Sequence, residues 1–268
     1  MTTPGDALAG FEHDTFSALG TQRDVWRAGE GPCVIVISEV PGITPAVTGF
    51  ARRVVAAGMS VTLPSLFGDD GREPRAGYLV SSMARTCVSR EFTILATGRS
   101  SPVVRWLREL ARAENQRCGG PGVGVVGMCL TGGFALGMMA DAPVIAPVLS
   151  QPSLPIAIGA RRAADVGCSP AELAAVRAKV AEGAQVLGLR FTGDKKSPGA
   201  RFDTLRRVLG DAFIGVELDS SPGNPYGHRK GSHSVLTEDL IDREGSPTMA
   251  ALVQVLDFLA RRLEVPAR

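Results

Sequence analysis

Short apolar runs recur along the chain, and between them the apolar positions spread out to a helical period. Val34 to Ser38, Ser60 to Leu63, the run ending at Gly127, Val144 to Leu149, Val186 to Phe191 and Phe213 to Leu218 are the runs. Val34 to Ser38 and Ser60 to Leu63 predict strands buried on both faces, and the other runs predict strands. Helical spacing predicts helices over 45–57, 102–117, 170–182, 199–209 and from 247 onward, with weaker helical patterning over 83–95. In the second of these, Val103, Leu107, Leu110 and Ala111 fall on one face; in the last, Met249, Leu252, Val253, Leu256 and Leu263 do. Ser101-Pro102, Ser169-Pro170 and Ser246-Pro247 mark helix starts, with a hydroxyl to cap and proline at the first helical position. Residues 1–32 are weakly patterned and predict one or two edge strands around Asp24 to Ala28. Strands alternating with helices predict an α/β fold, a mainly parallel central sheet with helices on both faces. The expected organisation is an N-terminal extension or edge strands over 1–30 and a single domain over 31–268.

Composition narrows the function classes. The formal net charge is +2, no basic run is present and aromatics make up 5% of the residues, so a nucleic-acid partner is not expected. The 5 cysteines, at positions 33, 87, 118, 129 and 168, form no CxxC pair, which argues against a disulfide framework and a structural zinc site. No secretory pattern opens the chain, and no stretch approaches the ~20 apolar residues of a membrane helix. The expectation is a cytoplasmic protein with reduced thiols and no membrane partner.

In a parallel sheet, chemistry collects at the carboxyl ends of the strands. Gly122 to Gly133 places Cys129 two residues after Gly127, between a strand and the small residues that open a helix. That is the pattern of a nucleophile elbow, a sharp turn that lifts one side chain off the sheet. The same stretch spells G-x-G-x-x-G, but its glycines fall inside the strand rather than after it, and Asp141 follows too early for a ribose-binding acid. Other strand ends offer Glu39, Asp194 and a loop holding His228 and His233. Nucleophile, acid and histidine in that order is the α/β-hydrolase arrangement. His233 is the preferred base, because Arg229 and Lys230 beside His228 disfavour an imidazolium. His13 precedes the core strands and reads as a surface residue; Cys33, Cys87, Cys118 and Cys168 read as structural or incidental. The Gly-, Pro- and charge-rich stretch over 65–80 reads as a loop facing substrate.

These residues resemble the dienelactone hydrolase family. Gly127 to Gly132 is similar to its G-x-C-x-G-G elbow, Gly193-Asp194 with Pro198 to its acid loop, His233-Ser234-Val235 to its His-Ser-Phe segment, and Ser38-Glu39-Val40 to its glutamate-bearing strand end. The resemblance spans about residues 30–262. It implies an α/β-hydrolase fold, a Cys129-His233-Asp194 triad and no cofactor or metal. It further implies that Glu39 contacts the resting thiol, that the backbone N–H groups of Leu130 and Val40 form an oxyanion hole, and that Arg90 binds substrate. Thr131 stands where the elbow has its second glycine, Val235 where an aromatic follows the histidine, and Thr237 where the family has a carboxylate-binding arginine. The expected activity is hydrolysis of a small ester, lactone or thioester. A catalytically weak hydrolase-fold protein that binds ligands or partners is the alternative, motivated by Thr131 and Thr237.

Overall fold

The computed structural model describes residues 7–75, 77–78, 82, 101–140, 143–154 and 159–266. Its strands are β1 (Glu12–Ala18), β2 (Thr21–Ala28), β3 (Cys33–Ile37), β4 (Ser60–Pro64), β5 (Val123–Met128), β6 (Val144–Ser150), β7 (Val186–Phe191) and β8 (Phe213–Leu218). The helices are α1 (Pro45–Ala56), α2 (Pro102–Cys118), α3 (Gly132–Met138), α4 (Ala160–Ala163), α5 (Pro170–Ala181), α6 (Gly199–Leu209) and α7 (Pro247–Arg262). The strands form one sheet in the order β1-β2-β4-β3-β5-β6-β7-β8. From β4 to β8 every pairing is parallel, while β2 runs antiparallel to both β1 and β4. This is the mixed sheet of an α/β-hydrolase fold.

Alternation along the central strands feeds two cores. Ile35, Ile37, Val123 and Val125 pack with α2, α3 and α6 on one face. Val34, Val36, Val126 and Met128 pack with α1 and α7 on the other. Helix starts follow the serine–proline signals: Ser101 Oγ accepts from Val103 N at 3.2 Å and Ser246 Oγ from Met249 N at 3.1 Å. Ser169 and Glu172 form a reciprocal capping box on α5. Glu172 also receives the buried Arg108 guanidinium at 2.8 Å, and Arg108 donates to the Gly137 carbonyl. One ion pair thereby joins α2, α3 and α5 beneath the sheet.

The N-terminal segment supplies two edge strands, β1 and β2, whose register runs from Glu12↔Arg27 to Ala18↔Thr21. Val253 departs from its expected place on the inner face of α7: it is 46% exposed, and the buried stripe is Ala251, Leu252, Val255, Phe258 and Leu259. An i, i+3, i+4, i+7 ladder through Leu252 leaves Val253 about 100° off the stripe. The expected helix over 83–95, with Cys87 and Arg90, lies outside the described residues. Among the described residues no helix is long and apolar enough to cross a membrane.

Candidate active site

The end of β5 turns so tightly that Cys129 sits at φ 54, in the left-handed region that a side chain enters only under strain. A single 3-10 turn, Cys129–Thr131, then leads into α3. Two glycines make the turn sterically possible. A Cβ on Gly127 would lie 2.2 Å from the Thr131 carbonyl oxygen, and one on Gly132 would lie 2.7 Å from Pro152 Cα. Thr131 itself is fully buried and does not crowd the turn. Its hydroxyl accepts from Met128 N at 2.8 Å and lies 2.9 Å from the Ile37 carbonyl oxygen, bridging the ends of β5 and β3. The close approach expected at this position is carried by Gly127 and Gly132 instead.

Three other strand ends converge on Cys129. Asp194 follows β7, and its Oδ2 lies 2.6 Å from Nδ1 of His233 in the loop after β8. The other oxygen of Asp194 accepts from Lys196 N at 2.9 Å. The backbone of the histidine loop is pinned by Asp239, whose Oδ2 accepts from His233 N and Ser234 N at 2.8 and 3.1 Å. Glu39 follows β3 and is 5% exposed. Its carboxylate accepts from Thr237 Oγ1 at 2.5 Å, Ser234 Oγ at 2.7 Å and Gln151 Nε2 at 3.4 Å. Thr237, standing where an arginine was expected, therefore gives Glu39 a neutral donor. One donor atom each from Glu39, Cys129 and His233 lies within 4.8 Å of the other two. A metal ion there would compete with the three donors already on the carboxylate.

His228 takes no part in this cluster. Its ring packs 5.0 Å from Phe191, and burial lowers its pKa. His233 behaves differently. Burial pulls its pKa down, but the charge of the Cys129 sulfur and the Asp194 carboxylate outweigh it and carry the value up to about 10. The arrangement stabilises an imidazolium beside a sulfur. His13 lies on β1, exposed and 3.2 Å from Asp24.

The cluster opens into a cavity of about 730 Å³, whose wall includes Val40 and Leu130 beside Cys129, Ser153 and His233. Several contributors carry no motif. Ser153 Oγ lies 2.9 Å from Cys129 Sγ, and its N–H donates to the Cys129 carbonyl. Gln151, at φ 35, accepts from Val235 N at 3.3 Å while holding Glu39. Arg201 is 1% exposed, and burial lowers its pKa to about 10. Its guanidinium donates to the carbonyls of Pro152, Arg162, Asp165 and Lys196, tying together the segments that carry Ser153 and Asp194. Ser153 and Gln151 follow β6, so a search of every strand end, polar residues included, would have reached them. Nothing local marks Asp239 or Arg201.

The sequence profile of the dienelactone hydrolase family matches residues 19–158. No curated protein matches the sequence. Among solved structures, a dienelactone hydrolase from Anabaena variabilis superposes with a TM-score of 0.59 at 17% identity, covering 94% of this chain and 98% of that one. A candidate dienelactone hydrolase from Klebsiella pneumoniae subsp. pneumoniae gives 0.62 at 17% identity, with 94% and 98% covered. A thioesterase domain from the curacin biosynthetic pathway gives 0.55 at 12% identity, with 92% and 99% covered. At these identities the structures share the fold.

Proposed function

Because the chain belongs to the dienelactone hydrolase family and is a hydrolase acting on ester bonds, we propose that it cleaves a small ester, lactone or thioester through Cys129, His233 and Asp194. The observation that carries the reading is the 2.6 Å pairing of His233 with Asp194 beside a sulfur raised on a left-handed elbow. A thiolate is the reactive form of cysteine, and an adjacent imidazolium stabilises it. Cys129 Sγ attacks the substrate carbonyl, forming the S–C bond and moving the π pair onto oxygen. The N–H groups of Leu130 and Val40 receive that oxyanion, an interaction typically worth ~10²–10³ in rate per donor.

His233 then gives its proton to the departing alkoxide or thiolate as the C–O or C–S bond breaks. In the second half-reaction it takes a proton from water, whose oxygen attacks the acyl carbon, and the Cys129 thiolate leaves. Asp194 fixes the ring throughout and stabilises its cation whenever the ring is protonated. Glu39, with a carboxylate oxygen within 4.8 Å of the sulfur, lies beside the resting thiol and assists its activation. Ser153 Oγ steadies the sulfur by its 2.9 Å contact. The reading needs a small-molecule substrate and no cofactor, and it places the enzyme in the cytoplasm, where its thiols stay reduced.

The test is turnover of p-nitrophenyl and thioester substrates by wild type and Cys129→Ala, with mass spectrometry of the quenched protein. Wild type should carry an acyl group on Cys129 and the variant should lose at least ~10³-fold in kcat. Full activity in the variant would overturn the mechanism. Absence of turnover in wild type, with retained ligand binding, would favour a binding protein instead.

A further inference from the structure

A second group of thiols lies at the opposite end of the sheet. Cys33 opens β3 and Cys118 closes α2, and one donor atom from each, with one from Glu114, lies within 4.8 Å of the other two. Cys33 is fully buried, whereas Cys118 is partly open to solvent. Ser60, the register partner of Cys33 on β4, brings its Oγ to 3.1 Å from Cys118 Sγ. Thr62 Oγ1 lies 3.5 Å from Cys33 Sγ and donates to Glu114 at 2.9 Å. Arg117 and Arg27 both close on Glu114, at 2.6 and 2.8 Å.

This setting suits redox chemistry better than a metal. The Glu114 carboxylate already accepts from Arg27, Arg117 and Thr62, and two guanidiniums beside it oppose a divalent cation. Of the two, Arg117 favours a thiolate on Cys118, against the opposing charge of Glu114. We propose that Cys118 and Cys33 form a hydroperoxide-reactive pair that closes reversibly to a disulfide, with Cys118 the sulfur attacked by oxidant and Cys33 the resolving thiol. An accessible thiolate next to a sheltered second thiol is the arrangement that such pairs require. In support, the hydrogen bond with Cys33, the Ser60 hydroxyl and the Arg117 charge outweigh burial and bring the Cys118 pKa down to about 6.

The chemistry balances with a hydroperoxide as the oxidant. Cys118 thiolate attacks the terminal peroxide oxygen, the O–O bond breaks, and the alkoxide takes a proton to leave as alcohol. The resulting sulfenic acid is attacked by Cys33 sulfur: the S–S bond forms, the S–O bond breaks, and hydroxide leaves with the Cys33 proton as water. Two thiols supply the two electrons. The sulfurs must close to about 2.05 Å, and the chain next to Cys118 has open space beside it. Gly119 and Gly120, at φ 70 and 91, end the helix there, and a Cβ on Gly119 would meet nothing within 4 Å.

The experiment exposes the full chain to stoichiometric hydrogen peroxide, blocks remaining thiols with iodoacetamide, and maps peptides without reduction. The expected product is a Cys33–Cys118 linked peptide, two hydrogens lighter than the reduced pair and lost on treatment with dithiothreitol. It should form equally in Cys129→Ala, which separates it from the proposed hydrolytic site. In Cys33→Ser, Cys118 should instead accumulate a dimedone-trapped sulfenic acid. Full alkylation of both cysteines after a dose that oxidises Cys129 would overturn the proposal, as would Cys118 linked only to another thiol. The wild-type map decides the matter even if Cys33→Ser does not fold.

Discussion

Thr131 illustrates how one hydroxyl changes the meaning of a substitution. Set against a glycine motif it is an extra side chain; in the folded protein it bridges Met128 N and the Ile37 carbonyl. Thr131→Val keeps the shape and removes those bonds, leaving buried backbone groups unpaired. It should cost about 1–3 kcal/mol in urea unfolding. Asp194→Asn tests the second residue-scale claim. The variant should lose about 10⁴-fold in kcat, and NMR titration should show the His233 pKa falling from about 10. The sign for stability follows from the same shift. A folded pKa raised above the ordinary 6.5 adds stability that is complete below that value and lost as pH rises through about 10. Wild type should therefore weaken across that window more than Asp194→Asn, as equilibrium unfolding at several pH values would show. Cys129, Asp194, His233 and Glu39 were legible because each follows a predicted strand. Asp239 was not, since its role is to accept two backbone N–H groups in the histidine loop, and no spacing rule encodes that.

At the scale of elements, the helices and strands were legible wherever period and cap agreed. Ser101, Ser169 and Ser246 each stand immediately before the first helical residue. The inner face of α7 was less legible, because Val253 is as apolar as its neighbours and only packing decides which valine turns inward. Ion pairs between helices were not legible at all. Arg108 and Glu172 are 64 positions apart in sequence and meet at 2.8 Å with side chains 10% and 9% exposed. Breaking such a pair strands a buried charge, and here it also removes the capping box of α5. Glu172→Ala should destabilise the fold by about 3–5 kcal/mol, measured as a shift in the urea midpoint with little change in the slope.

Across the whole molecule, the parallel strands set two ends apart. The carboxyl ends gather the proposed catalytic cluster, and the amino ends gather Cys33, Cys118 and the buried Glu114. Topology follows from alternating strands and helices, so the first gathering could be anticipated. The second could not, because two cysteines 85 positions apart have no pattern until β3 and α2 are set side by side. Arg201 shows how far such long-range ties reach. Arg201→Met should lower kcat by about 10²-fold, the penalty of ångström-scale misplacement, with no recovery in Arg201→Lys, whose single ammonium cannot span four carbonyls. Steady-state kinetics with circular dichroism as a folding control checks this. For anyone reshaping this enzyme, the segments that carry Ser153, Arg162 and Lys196 are one part rather than three. A loop grafted from another hydrolase must present its carbonyl to the same guanidinium, so useful recombination would exchange all of them together with residue 201.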